Sequence, residues 1–381
     1  VNLSEQHNPS CGSGSDHLNH TRHLEFFLWI QRVLILSIVM IGTVTAQPQS
    51  RNRDLRSKLE RYLHQQSDPG YALSVFVSVE GKIVLNEGFG WIDSARTIHA
   101  SAHTLYNIAS MTKSFTSIAV YALATLGKLQ ITDRITKYFK DVPREKQSIT
   151  IEQLLTHTSG LAQHYLADGV ADRDSAVRRI LHDTLRFHPG SDFTYADENY
   201  ELLGAIVEET SQQTYETEIR SLVLNKARMD ETRFWAEPVH LGSEDVAPMN
   251  RELMPSVRGR NWGYIGSGGM YSNVNDLHSW FDALLSDSLL DSASRREMWR
   301  VRWRTKGSGT GIASGWYSSS YRGNRELWTR GAEDWGHNGV LRWFPDRNAL
   351  IIVLSNSGDR GDKNTSANRF ISDGIADIIL P

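Results

Sequence analysis

The sequence predicts an α/β fold in which one antiparallel sheet, flanked by helices, is built from both chain ends and a mainly helical domain is inserted between them. Three observations carry this. Ala72–Val79 and Lys82–Leu85 are apolar runs separated by Glu80-Gly81, the pattern of a hairpin. Residues 128–262 hold a series of helical patterns: Ile151–Thr156, Asp174–Leu185, Tyr200–Thr210 and Tyr215–Leu224. The tail then turns to short strand-like runs, Gly311–Ser318, Glu326–Thr329, Trp335–Phe344 and Ala349–Asn356, with Gly, Asn or Asp between them. The expected organisation is a leader over 1–46, an α/β domain from 47–127 and 263–381, and a helical domain over 128–262.

Each element has its own reason. Val33–Ile41 is almost wholly aliphatic and is followed by small residues ending at Ala46, which reads as a secretory leader. The alternative, a membrane anchor through both apolar runs, would have to carry Glu25 and Arg32 within a span of about 20 residues. Export to a periplasmic or extracellular space is therefore expected, with membrane contact only through an uncleaved leader. Leu55, Leu59, Tyr62 and Leu63 recur at helical spacing before Asp68-Pro69-Gly70 breaks the pattern. Met111, Phe115, Ile118, Ala122 and Leu126 form an apolar stripe, so a helix is expected from Ser110 to Leu126 with Gly127 as its stop. Pro345-Asp346-Arg347-Asn348 suits a hairpin turn, and Ala367–Ile379 reads as a final helix.

Composition removes several function classes. With 41 basic and 44 acidic residues the chain has no electrostatic footprint for nucleic acid. The single cysteine, Cys11, excludes an internal disulfide framework and a CxxC redox pair, and it falls in the expected leader. No serine stands in GxSxG, and neither HExxH nor GxxxxGK[ST] occurs. His99 and His103 are four apart without an evident third ligand, so they read as structural, and no metal or cofactor is expected. The tryptophans of the tail read as core and pocket wall.

What remains is Ser110-Met111-Thr112-Lys113. At this helical spacing the hydroxyl and the amine share a face, and a lysine whose charge is disfavoured by burial can activate a serine. The spacing alone is not selective, since roughly one chance match is expected at this Ser and Lys content, and a polar helix start with a solvated lysine fits it equally.

Context decides. Thr104–Thr116 (TLYNIASMTKSFT), Gly127-Lys128-Leu129 through Asp133, and Ile149–Leu161 (ITIEQLLTHTSGL) resemble the penicillin-recognising serine hydrolases. The similarity is to the branch of class C β-lactamases and D-alanyl-D-alanine carboxypeptidases. Tyr195-Ala196-Asp197 sits where that family has Tyr-x-Asn, Gly268–Ser272 leads to a later helix, and Gly336-His337-Asn338-Gly339 stands where it has Lys-Thr-Gly or His-x-Gly. The resemblance runs from about residue 68 to the end. It implies a β-lactamase/transpeptidase-like fold and a two-step acyl transfer on a small-molecule or peptide substrate with a carbonyl centre.

The roles implied by the resemblance are specific. Ser110 is the nucleophile, Lys113 its base, and Tyr195 the proton shuttle to the leaving group. His337 flanks the pocket and assists the Lys113–Tyr195 pair. The backbone N–H groups of Ser110 and Val340 form the oxyanion hole, and Asp197, Asn338 and Gly339 line the substrate. His157-Thr158-Ser159-Gly160 is expected to brace the pocket without chemistry. Two departures bear on substrate. Asp197 stands in place of Asn and, when ionised, can only accept hydrogen bonds, while His337 stands in place of a permanently charged Lys. Both favour an esterase or D-amino-acid peptidase over an efficient β-lactamase. The competing class is a binder that captures ligand or acylates without turnover.

Overall fold

The computed structural model describes residues 51–66, 72–93, 95–237, 259–356 and 367–381, with the side chains of 367 and 368 excepted. The expected leader, with Cys11, lies outside these residues. Leu55–Pro381 forms one compact unit.

Its centre is an eight-stranded sheet: β1 (Leu73–Val79), β2 (Lys82–Phe89), β6 (Trp303–Arg304), β7 (Gly311–Ile312), β8 (Tyr317–Tyr321), β9 (Asn324–Ala332), β10 (Asn338–Phe344) and β11 (Ala349–Ser355). The order is β2-β1-β11-β10-β9-β8-β7-β6, antiparallel throughout, so the early hairpin is stitched to the late strands by β1 on β11. A second, three-stranded sheet holds β3 (Tyr106–Asn107), β4 (Arg233–Phe234) and β5 (Met270–Ser272) in the order β3-β5-β4.

β1 and β11 are buried along their whole length because both faces are covered. On one side Val75 and Val77 meet Leu59 and Leu63 of α1 (residues 51–66) and Ile371, Ile375 and Ile379 of α10 (Ala367–Ile379). On the other, Phe76 joins a larger core containing α2 (Thr112–Thr125), α3 (Ile151–Leu155), α4 (Arg173–Leu181), α5 (Glu198–Ser211) and α6 (Tyr215–Ile219). A π turn over Arg220–Leu224 continues α6 into α7 (Asn225–Ala227), and α8 (Val274–Leu285) and α9 (Ser292–Met298) complete the helices. The period-2 alternation of β1 thus divides two cores. Trp280 of α8 stacks on Phe115 of α2 at 4.3 Å, and Trp316 is buried beside it in the core, with the half-buried Trp299 and Trp343 packed against that core. Among the described residues, no helix is long and apolar enough to cross a membrane.

Three boundaries differ from the sequence reading, and all bear on the site. Ser110 lies in a 3₁₀ turn, Ala109–Met111, ahead of α2 instead of within its first turn. β9 runs on to Ala332, three residues past the expected end at Thr329. β10 begins at Asn338, leaving Trp335-Gly336-His337 outside the strand.

Candidate active site

The site is assembled on the 3₁₀ turn. Ala109 has φ +46°, a left-handed conformation that costs energy for a residue with a β-carbon. Two hydrogen bonds hold this bend: Ala109 N–H donates to Asn107 Oδ1 (2.6 Å), and Asn107 N–H donates to His337 Nδ1 (2.7 Å). The turn presents Ser110 Oγ to two partners, Tyr195 Oη at 2.6 Å and Lys113 Nζ at 3.0 Å.

Lys113 sits one turn on, on α2, with only 4% of its side chain exposed. Its Nζ also donates to Ser267 O (2.7 Å) and to Asp197 Oδ1 (2.5 Å). Tyr195 and Asp197 come from the turn entering α5, where Asp197 is the N-cap residue. Tyr195 Oη donates to Asp197 Oδ1 (3.2 Å), and Gln163 grips the same carboxylate by donating from Nε2 to Oδ2 (2.8 Å) and accepting the Asp197 amide on Oε1 (2.6 Å).

Electrostatics follow from this packing. Burial, and next the Asp197 charge, hold the Tyr195 phenol well above its ordinary value, so it is protonated at rest. Burial pushes Asp197 up, but the Lys113 charge with hydrogen bonds from Lys113 and Gln163 outweighs it and leaves the carboxyl below the usual range. His157, at φ +56°, packs its ring on Tyr195 at 4.6 Å and accepts the Ala196 amide on Nδ1 (3.3 Å). Burial, then Lys113, pushes its imidazole down to about 3, so it stays neutral.

The cleft over Ser110 is lined on one side by Tyr317 of β8 and by Thr329 and Arg330 of β9. Here the expected second wall is corrected. Ser110, Lys113 and Tyr195 line the cleft, whereas Asp197, expected to line the substrate, stands behind them against Lys113 and Tyr195, and His337, Asn338, Gly339 and Val340 are not on the lining either. His337 is buried behind the nucleophile turn, against Asn107. Asn338 accepts from Ser355 Oγ (3.2 Å), and a side chain on Gly339 would run into Leu354 and Met111. Val340 lies on an interior strand paired on both sides, to Arg330 and Val353, so its amide belongs to the sheet ladder.

β9 takes that place. A β-carbon added to Gly331 would stand 2.6 Å from Ser110 N, so this glycine is what lets strand and turn touch. Glu333 N–H donates to His337 O (2.8 Å), which fixes the antiparallel alternation. Gly331 therefore turns its amide toward β10, while Arg330 and Ala332 turn theirs to the other edge, where β8 pairs only as far as Trp328. The missed signal was the continuing period of two: Leu327, Thr329 and Gly331 are buried while Arg330 and Ala332 are exposed. Ser267 and Gln163 were missed because a carbonyl contact and a long-range amide leave no sequence trace. Among the described residues, no group of three or more His, Cys, Asp or Glu is placed to hold a metal ion. His103 pairs with Glu231 and His99 stacks on Trp91.

A family model described as Beta-lactamase matches residues 55–375. The chain belongs to the beta-lactamase family. Within this family it is 28% identical over 285 residues to the putative penicillin-binding protein PbpX of Bacillus subtilis, covering 72% of this chain and 70% of that protein. It is 32% identical over 192 residues to the protein flp of Staphylococcus aureus (strain N315), covering 48% of this chain and only 39% of flp. Two solved structures share the fold. The octameric penicillin-binding protein homologue from Pyrococcus abyssi superposes with TM-score 0.70 at 24% identity, over 85% of this chain and 76% of that one. The D-amino acid amidase from Ochrobactrum anthropi SV3, complexed with D-phenylalanine, gives 0.71 at 20% identity, over 84% and 99%. The β-lactamase/transpeptidase-like fold expected from the sequence is thus the observed one.

Proposed function

We propose that this member of the beta-lactamase family is a serine hydrolase that transfers an acyl group through Ser110, acting on an ester or on the amide of a D-amino acid. The observation that carries this reading is the double contact on Ser110 Oγ, from Tyr195 Oη and Lys113 Nζ, at the floor of an accessible cleft. Ser110 attacks the carbonyl carbon to give a covalent acyl-enzyme, which water then releases. The oxyanion is held by the Ser110 amide and, from the open edge of β9, the Ala332 amide, replacing the Val340 amide of the sequence reading.

The preference for esters and amides over β-lactams rests now on Asp197 alone, since His337 is withdrawn from the pocket. An ionised carboxylate offers no donor to a substrate carbonyl, and this one is already occupied by Lys113, Tyr195 and Gln163. Wild type and Ser110→Ala are to be compared on p-nitrophenyl acetate, a D-amino-acid amide and nitrocefin. The expected result is ester or amide turnover exceeding that of nitrocefin and abolished by the substitution. Fast nitrocefin hydrolysis with little ester or amide cleavage contradicts the substrate preference. No turnover and no acylation at all favours the binder.

A further inference from the structure

We infer that Glu333 selects substrates whose acyl group carries a free α-ammonium, as an amino-acid ester or amide does; the inference rests on the serine hydrolase reading above. Glu333 directly follows Ala332, the residue whose amide faces the oxyanion. The alternation of β9 carries on to it: Thr329 and Gly331 face inward to the nucleophile turn, and Glu333 takes the next place on that face. One point locates its carboxyl. Where a β-carbon on Gly268 would stand, Glu333 Oε1 is 3.5 Å away, the Tyr264 ring 3.7 Å, and the carbonyl carbon of Ala109, the atom bonded to Ser110 N, 3.9 Å. The missing side chain of Gly268 thus leaves a space shared by a carboxyl, an aromatic ring and the backbone of the nucleophile.

The surroundings of this space suit a cation. No side chain among the described residues hydrogen-bonds or pairs with the Glu333 carboxyl. Lys113, the one cation among the charges that act on it, is taken by Asp197 at 2.5 Å, and the others, Asp168 and Asp334, are acidic. Tyr264 adds a ring that attracts an ammonium through its π face, and Trp235 (4.4 Å) and Trp335 (6.1 Å) hold that ring in place. Glu333 is itself fixed, since its N–H donates to His337 O (2.8 Å) and its O accepts from Gly336 N–H (3.0 Å) in a tight turn. Burial, and next the Asp197 charge, hold the carboxyl well above its ordinary value, with Lys113 opposing. An ammonium brought to this space supplies the missing counter-charge, and the carboxyl ionises as it binds. In an α-amino acyl group the ammonium sits one carbon from the carbonyl, so holding it here also sets the carbonyl against the Ser110 and Ala332 amides.

The test compares kcat/KM on D-alanine p-nitroanilide and on its N-acetyl derivative, the same acyl group without the charge, with p-nitrophenyl acetate as a substrate that has no amine. Wild type is expected to favour the free amine over the N-acetyl form by about 100-fold. Glu333→Gln keeps the shape and cannot ionise, and is expected to lower that ratio by about 30-fold. A wild type that cleaves p-nitrophenyl acetate without favouring the free amine, a result that needs no variant to fold, overturns the assignment. So does a Glu333→Gln enzyme, folded by circular dichroism, whose ratio equals that of the wild type, because a merely structural role lowers both substrates together. Turnover of none of the three substrates overturns the serine hydrolase reading itself.

Discussion

Gly331 backs directly onto Ser110, so closely that a methyl group on its α-carbon would stand 2.6 Å from the Ser110 nitrogen and 2.2 Å from the Ile108 oxygen. Both are backbone atoms, which cannot swing aside as the end of a flexible side chain could. Gly331→Ala must therefore separate β9 from the nucleophile turn, moving Ser110 relative to both the Ala332 amide and Tyr195. Because small misplacements of reacting groups are costly, we expect kcat/KM on p-nitrophenyl acetate to fall by about 100-fold. Wild-type kinetics in a folded Gly331→Ala protein would contradict the placement of β9 against Ser110.

His337 is assigned a positioning role in place of a catalytic one. Its Nδ1 accepts the Asn107 amide, which lies in the segment that holds Ala109 in its left-handed bend. Removing the acceptor leaves a buried N–H unpaired, at a cost of about 1–3 kcal/mol. His337→Ala should lower the melting temperature and depress turnover of esters and amides by the same factor, with the shape of the pH–rate profile retained. Loss of one limb of that profile at unchanged stability would return His337 to the chemistry.

Glu201, on α5, is fully buried, and neither carboxyl oxygen has a hydrogen-bond partner among the described residues. Burial raises it well above its ordinary value, with repulsion from Glu198 and Asp197 adding to the effect. The sign follows from linkage: the unfolded chain releases this proton near the ordinary carboxyl value, while the fold keeps it. Wild-type stability from this group is complete at acid pH and is lost as pH rises toward the folded value. Glu201→Gln removes that dependence, so stability relative to wild type should grow by about 1.4 kcal/mol per pH unit above pH 5. Chemical denaturation across neutral pH reads this directly; parallel curves would mean that the carboxyl has water or a partner.

The parts of the molecule that were legible in sequence are those governed by local periodicity. The hairpin before α2, the helical block and the closing helix were set by apolar spacing, and Ser110, Lys113 and Tyr195 by motifs within short segments. The second wall was misread because its assignment depended on which of two neighbouring strands faces Ser110. Gly336–Gly339 and Thr329–Gly331 both offer a polar residue followed by glycine. Only the tertiary packing sets Gly331 of β9 against the Ser110 backbone, while Gly339 of β10 faces Met111. Asp197 was placed in the pocket, but its engagement by Gln163 and Lys113 is tertiary, and that is what turns it inward. The left-handed Ala109 likewise has no signal of its own, since its bend is imposed by Asn107 and His337.

The central claim is that Ser110 carries a covalent intermediate, and the most direct measurement is the intact mass of the protein after an alkyl fluorophosphonate, with the modified peptide mapped. A single adduct on Ser110, absent from Ser110→Ala and accompanied by complete loss of ester turnover, is the result expected here. An unlabelled Ser110 in a protein that still hydrolyses the ester, or an adduct on another residue, would contradict it.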